Sequence, residues 1–118
     1  MIEVAGELAG VAFLHSIREV DAKARFAIGL LSPYLLGRGY GTEATRLVLE
    51  HAFGLMSLHR VDLRVLEFNE NAIAMYRRCG FVEEGRERDS CQMGQDWYDD
   101  VIMGILDHEF LSGPVGRP

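Results

Sequence analysis

The chain has 118 residues, 48% of them hydrophobic, and a formal net charge of −6 at pH 7, which fits one domain with a real core and disfavours binding to a nucleic-acid backbone. Its two cysteines are too few for a disulfide framework, and no second cysteine pair is present for zinc, so no metal site is expected. It has neither an apolar run of membrane-spanning length nor a signal-peptide profile, so we expect a cytoplasmic protein without membrane partners.

Three apolar runs open the chain and predict three strands. They cover residues 1–4, 8–17 and 25–31. A turn-forming segment at residues 5–7 separates the first two runs and predicts a hairpin, and the charged residues 18–23 predict a loop. Gly29, inside the third run, indicates either a bulge or a ligand lying against the backbone. Pro33 ends the run, because proline cannot donate to a strand ladder.

Three glycines at alternate positions, Gly37, Gly39 and Gly41, lead into the next element. Glycines allow positive φ and close approach of a ligand, and the first N–H groups of a helix have no intrahelical partners. A glycine loop at a helix amino end therefore predicts an anion site, most often for phosphate or pyrophosphate. The spacing is neither that of a Walker loop nor that of a dinucleotide fingerprint, and an ordinary glycine-rich turn stays an alternative.

Helical periodicity over residues 42–57 predicts a helix, with Glu43 placed favourably in its first turn. Its predicted apolar face consists of Ala44, Leu47, Val48, Leu49, Ala52, Phe53, Leu55 and Met56. Residues 60–66 then alternate apolar and charged side chains, which predicts a strand with one polar face. The glycine loop and helix thus lie between two strands, where ligands collect at strand carboxyl ends and helix amino ends.

Asn69 predicts the cap of a second helix that ends before Gly80. On this helix Ala72, Tyr76 and Cys79 share one face. Two strands follow, one from residue 81 to about residue 89 and an apolar, central one over residues 97–106, with a loop at 90–95 between them. The predicted order is β-β-β-α-β-α-β-β, a mixed α/β (α+β) fold with one domain over residues 1–112 and a flexible tail at 113–118.

Four stretches, in this order along the chain, carry a family resemblance. They are Phe26-Ala27-Ile28-Gly29-Leu30-Leu31-Ser32-Pro33, Gly37-Arg38-Gly39-Tyr40-Gly41-Thr42-Glu43-Ala44, Asn69-Glu70-Asn71-Ala72-Ile73-Ala74-Met75-Tyr76 with Cys79-Gly80-Phe81-Val82-Glu83-Glu84-Gly85, and Trp97-Tyr98-Asp99 with Val101-Ile102-Met103-Gly104-Ile105-Leu106. Together they resemble the GCN5-related N-acetyltransferase (GNAT) superfamily, in particular its ribosomal-protein-alanine and spermidine N-acetyltransferase branch. The resemblance implies a mainly antiparallel sheet and the acyl-CoA N-acyltransferase fold.

The resemblance also implies an activity and a set of site residues. The activity is transfer of acetyl from acetyl-CoA to a primary amine, such as a protein amino terminus, a polyamine or another small amine, by direct attack in a ternary complex. Tyr76 would be the general acid that protonates the departing thiolate. The implied cofactor-binding residues are Ile28, Gly29, Leu30, Leu31, Leu36, Gly37, Arg38, Gly39, Tyr40, Gly41, Thr42, Glu43, Asn69, Ala72 and Tyr76.

The sequence departs from the family pattern in two places. Leu36 stands where the family usually has Gln or Arg. The strand and two helices with which family members usually begin have no counterpart, which leaves residues 1–4 as an unpaired edge, and we expect a homodimer to cover it. Two other functions stay open: a truncated, CoA-binding or structural domain without turnover, and a generic nucleotide or phosphate binder.

No residue stands out as a general base. The candidates are His15, Glu43, Asp99 and Asp100, and each also fits a solvated or capping role. His51 lies near the apolar stripe of the first predicted helix and is expected to be packed. Cys79 and Cys91 show no sign of activation and are expected to be inert.

Overall fold

The computed structural model describes residues 2–4, 7–30 and 40–112 of the chain. Within these ranges the strands are β1 (Ile2–Val4), β2 (Glu7–Arg18), β3 (Lys23–Leu30), β4 (Arg60–Leu66), β5 (Val82–Met93) and β6 (Asp96–Leu106), and the helices are α1 (Tyr40–Phe53), α2 (Glu70–Arg78) and α3 (Asp107–Ser112). The predicted order of strands and of the first two helices is confirmed. Helix α3 was not predicted from the sequence. The predicted tail at 113–118 lies outside the described residues.

One mixed sheet contains all six described strands in the order β1-β2-β3-β4-β6-β5. Every neighbouring pair is antiparallel except β3 and β4, which run parallel. The predicted hairpin of β1 and β2 is confirmed, and β6 lies inside the sheet between β4 and β5, as its continuous apolar sequence indicated. The predicted α/β (α+β) fold with a mainly antiparallel sheet is therefore confirmed.

The core lies on one face of this sheet. Alternate residues of β4 (Val61, Leu63 and Val65) are buried because side chains alternate between the two faces of a strand, and their neighbours on β6 are buried with them. Helices α1 and α2 cover the same face and contribute to one apolar cluster with the strands. The buried helical side chains in this cluster are Leu49, Ala52, Phe53 and Tyr76, with Cys79 at the end of α2. The opposite face of β4 carries charged residues, as predicted.

Helix α1 differs from its prediction in its bounds and in its buried face. It covers Tyr40–Phe53 rather than 42–57. Leu47 and Leu55 were predicted to be buried, but they are 58% and 83% exposed, and His51, predicted to be packed, is also exposed. Leu55 lies beyond the end of the helix, and Leu47 lines an open pocket between α1 and β2. The small polar residue Thr45 is fully buried instead, because the helix meets α2 along that line.

The loop predicted at residues 90–95 is shorter than expected. Strand β5 continues to Met93, and the turn to β6 is formed at Gly94, whose φ of +66° suits glycine. The polar sequence of residues 90–95 indicated a loop, but β5 is at the edge of the sheet, where exposed side chains are tolerated. No helix in the described ranges is both long and apolar enough to cross a membrane.

Candidate functional site

The separation of β3 from β4 is the central feature of the candidate site. The two parallel strands pair only from Lys23↔Arg60 to Arg25↔Asp62. Residues 26–30 of β3 and 63–66 of β4 continue without pairing to each other. Backbone N–H and C=O groups of a strand point sideways and require partners, so this opening presents groups to which an extended ligand can bond.

Gly29 lies in the part of β3 that pairs with β2 but not with β4. Its pairing with Val11 of β2 is in continuous register from Gly10↔Leu30 to His15↔Arg25, so the bulge considered at Gly29 is wrong. A Cβ atom built on Gly29 would meet no atom of the described residues within 4 Å. The sheet therefore has open space beside this backbone position. The other interpretation of Gly29, a ligand lying against it, stays a prediction together with its neighbours Ile28 and Leu30.

The amino end of α1 lies close to this strand. A Cβ atom on Gly41 would lie 4.0 Å from the Ile28 Cδ1 and 3.5 Å from the Met75 Cε of α2. The N–H groups of the first helical turn, Tyr40 to Glu43, have no acceptors within the helix and carry partial positive charge. The start of α1 thus brings an anion-binding end next to β3 and α2.

Most of the predicted glycine loop lies outside the described residues. Leu31, Leu36, Gly37, Arg38 and Gly39 lie outside the described residues. Of the predicted cofactor-binding residues in this part of the chain, the structure brings Gly41 and Ile28 together, with Thr42 and Glu43 in the same turn of α1. Their binding role stays a prediction.

Tyr76 is buried at the same junction, with 7% of its surface exposed. Its ring lies edge-on to Phe26 of β3, at a centroid distance of 6.3 Å, and to Phe81, at 5.7 Å. In the described part of the chain no residue forms a hydrogen bond with its hydroxyl group. Burial, and to a smaller extent Cys79, raises the pKa of Tyr76 above its ordinary value of 10.0. The phenol is therefore protonated at neutral pH and has a proton to donate.

Cys79 has the properties of an unreactive thiol. It is fully buried, and its Sγ lies 3.9 Å from the backbone oxygen of Thr42. Burial raises its pKa, against smaller opposing effects of Arg46 and Arg78. Since the thiolate is the reactive form, this agrees with the expectation of an inert cysteine.

Asn69 caps α2, as predicted. Its side-chain oxygen accepts a hydrogen bond from the N–H of Ala72 at 3.3 Å, which satisfies one of the donors at the helix start. Gly80 follows the helix with φ of +109°, as expected just past a helix end. Asn69 is exposed and Ala72 is half-buried against the core. Their predicted contacts with a cofactor stay predictions.

The candidate general bases do not come together. His15 is on β2, Glu43 is exposed on α1, and Asp99 and Asp100 are on β6. The Asp99 carboxylate accepts a hydrogen bond from the N–H of Asp89 at 2.9 Å. In the part of the chain that the structure describes, no three His, Cys, Asp or Glu residues are grouped to hold a metal ion.

Two residues that shape this junction were not predicted from the sequence. Thr45 donates a hydrogen bond to the Gly41 carbonyl oxygen at 2.7 Å and has its Oγ1 3.7 Å from the Met75 sulfur. Threonine four residues after a helical carbonyl is a known back-bonding pattern, so the spacing to Gly41 carried a signal. The position of Met75 against the start of α1 had none, because 34 positions of sequence separate it from Gly41.

A set of ion pairs crosses the face of the sheet opposite the helices. Arg60 forms two hydrogen bonds to Glu84, of 2.8 and 2.6 Å, and a weaker one of 3.4 Å to Asp62, which also accepts from Arg25. The hydrogen bond to Glu84 is the main cause that raises the pKa of Arg60, and the same bond lowers the pKa of Glu84. Both groups are therefore held in their charged forms.

Comparison with known proteins identifies the family. A sequence model of the family described as "Acetyltransferase (GNAT) domain" matches residues 1–82. The chain belongs to the GNAT acetyltransferase family, as the sequence motifs predicted.

Individual relatives support this assignment. The chain is 32% identical to the spermidine N(1)-acetyltransferase of Escherichia coli over 112 residues, which cover 95% of this chain and 60% of that protein. It is 31% identical to the putative ribosomal N-acetyltransferase YdaF of Bacillus subtilis over 105 residues, 89% of this chain and 57% of that protein. A crystal structure of the spermidine/spermine N-acetyltransferase SpeG from Vibrio cholerae with manganese ions matches with a TM-score of 0.83 and 29% identity, over 90% of this chain and 62% of that one. The chain spans about 60% of the length of the curated relatives it matches.

Proposed function

We propose that this chain is the acetyl-CoA-binding and catalytic part of an N-acetyltransferase that acts on a primary amine. The observation that carries the proposal is the opening between β3 and β4, with the amino end of α1 and the Tyr76 phenol beside it. Membership of the GNAT family supports it.

Acetyl-CoA would supply the acetyl group as a thioester. Backbone groups of Ile28, Gly29 and Leu30 that face away from β2, on the side where β3 no longer pairs with β4, would bond to its extended arm in the way that an added strand does. The first N–H groups of α1, with the glycine loop before them, would bind its pyrophosphate. The space beside Gly29 supports such an arm, because no side chain of the described residues lies within 4 Å of a Cβ atom built there.

Tyr76 would act as the general acid. In the reaction the amine nitrogen forms a bond to the carbonyl carbon, the carbon–sulfur bond breaks, and the thiolate takes the phenolic proton of Tyr76. The raised pKa of this buried phenol keeps the proton on the oxygen until a thiolate is formed. The acceptor ammonium must lose one proton before its nitrogen can attack, and no described residue is assigned to that step. The second proton, which leaves the nitrogen as the amide forms, would restore the neutral phenol of Tyr76, directly or through solvent.

A polyamine is the acceptor we favour, since relatives of this chain are named spermidine N-acetyltransferases. An acidic protein with a net charge of −6 suits a cationic substrate. A protein amino terminus is the alternative that the name of YdaF suggests. A homodimer and a cytoplasmic location stay predictions.

A domain that binds CoA without turnover is the second candidate function. The observation in its favour is that no described residue is assigned to take the proton of the acceptor ammonium. Both functions require the same CoA site, and they differ in whether an acetylated amine is formed.

Titration calorimetry with acetyl-CoA, followed by a turnover assay with spermidine and with peptide amino termini, tests the proposal. Saturable binding and CoA release with spermidine are expected. Binding without release with any amine would favour the non-catalytic domain. Binding of ATP in competition with CoA would instead favour a generic phosphate binder, and no binding by the folded protein would refute the site.

A further inference from the structure

The last paired position of β3 and β4 carries an ion pair. Arg25 and Asp62 lie opposite each other there, and the two strands do not pair beyond this point. The Arg25 Nε donates a hydrogen bond to the Asp62 Oδ1 at 3.1 Å. The ion pair thus joins the strands at the apex of the opening described above.

Asp62 is held from a second side. Its other carboxylate oxygen lies 3.4 Å from an Arg60 guanidinium nitrogen, and that guanidinium is fixed by its two bonds to Glu84. The side chain of Asp62 is only 16% exposed, so its interactions are less screened than those of a surface carboxylate. The pair at the apex is therefore braced across the sheet as far as β5.

We propose that the Arg25–Asp62 ion pair is a positioning element that fixes where β3 and β4 separate, and thereby the shape of the opening that receives the acyl-CoA arm. This inference rests on the proposed function. Three paired positions hold the parallel strands together, and before them the Ala22 carbonyl oxygen accepts hydrogen bonds from the N–H groups of His59 and Arg60. The strands are thus fixed at their start, and the ion pair at the last paired position limits fraying from the other end. If the pair is lost, the backbone of residues 26–30 no longer has one fixed position relative to β4, and a ligand that binds along it must order it first.

A matched control exists on the same strand. Arg64 pairs with Glu87 on β5, on the same face of the sheet and two positions further along β4. This ion pair connects β4 to β5, which lies on the side of β4 away from β3. Its loss should have a similar small effect on stability and none on the opening.

The experiment compares acetyl-CoA affinity in wild type, Arg25→Gln, Arg25→Lys, Asp62→Asn and Glu87→Gln, by calorimetry on folded protein. Arg25→Gln and Asp62→Asn are expected to raise the Kd about fivefold, and Arg25→Lys and Glu87→Gln to stay within about twofold of wild type. Amide hydrogen exchange at Ala24 and Val61 without ligand is expected to accelerate in Arg25→Gln and not in Glu87→Gln. Arg25 is 39% exposed, so Arg25→Gln provides a folded variant if Asp62→Asn does not fold.

The outcomes separate this inference from the proposed function. If the wild type does not bind acetyl-CoA, both are overturned. If the wild type binds and Arg25→Gln binds equally well, the positioning role alone is overturned. An equal loss of affinity in Glu87→Gln would also overturn it, because it would show a general effect of losing an ion pair on that face.

Discussion

Arg60 and Glu84 form a two-point ion pair above Gly104, the β6 residue that lies between their strands. Arg60 is on β4 and Glu84 on β5, and β6 separates those strands in the sheet. A Cβ atom on Gly104 would lie 2.5 Å from a Glu84 carboxylate oxygen and 2.8 Å from an Arg60 guanidinium nitrogen. The absence of a side chain at this one position therefore allows the ion pair to cross the strand.

Relative to Gly85→Ala, Gly104→Ala is expected to destabilise the protein by about 1 kcal/mol or less, because the added methyl group displaces the ends of both charged side chains. Gly85→Ala is the matched control, since a Cβ atom there meets nothing within 4 Å. Urea unfolding measures the difference in the free energy of unfolding. Equal stabilities of the two variants would contradict the crossing described here.

Glu84 predicts a loss of stability in acid. Its pKa is lowered in the folded protein from an ordinary value of 4.5, chiefly by the hydrogen bond from Arg60. A lowered folded pKa gives stability that is present above the unfolded pKa and is lost as the pH falls through the folded pKa. Because the pair is partly exposed, the contribution is about 1 kcal/mol or less. Urea unfolding should show that the free energy of unfolding falls less between neutral pH and about pH 3 in Glu84→Gln than in wild type. Glu50→Gln, on the exposed side of α1, is the control, and its free energy of unfolding should fall with pH as much as that of wild type.

Gly29→Val tests the acyl-CoA arm. The open space beside Gly29 should accept the side chain with a change in stability below about 0.5 kcal/mol, while a ligand lying there would be excluded. We expect the Kd for acetyl-CoA to rise more than about tenfold. Gly85→Val, in equally open space on β5, should bind like wild type. An unchanged Kd in Gly29→Val would remove Gly29 from the site.

Tyr76→Phe tests the general acid. The variant retains the edge-on packing with Phe26 and Phe81 and loses only the hydroxyl group. A general acid contributes about a hundredfold or more, so kcat should fall by that factor with little change in the Kd for acetyl-CoA. Tyr98→Phe, which also keeps its ring contact with Phe68, serves as the control. Full turnover in Tyr76→Phe would exclude the phenol from the mechanism.

Tyr76 also predicts the alkaline behaviour of the fold. Its pKa is raised by burial, so the folded protein retains the proton at pH values where the unfolded chain has lost it. The contribution is fully present below about pH 10 and is lost as the pH rises through the folded pKa. The free energy of unfolding of wild type should therefore decrease more steeply above about pH 10 than that of Tyr76→Phe. Parallel curves for the two proteins would contradict the burial of the hydroxyl group as the cause.

Several parts of this protein could be predicted because their causes are local. The alternation in residues 60–66 defined β4 and its buried face, since successive side chains point to opposite faces of a strand. Asn69 was predicted as a helix cap because its partner, the N–H of Ala72, is three residues away. The family resemblance added the mainly antiparallel character of the sheet and the candidate residues of the site.

The tertiary structure decided what depends on residues far apart in sequence. The end of pairing at Arg25 and Asp62, 37 positions apart, creates the opening in the sheet, and no local pattern contains it. Thr45 rather than Leu47 is buried because α1 meets α2 along that line, although periodicity alone favours the larger apolar side chain. No local pattern distinguishes Gly104 from other strand glycines, because its role depends on β4 and β5 lying on the two sides of β6. Local propensity acts over a few residues, whereas burial and ion pairing depend on which elements the folded chain brings into contact.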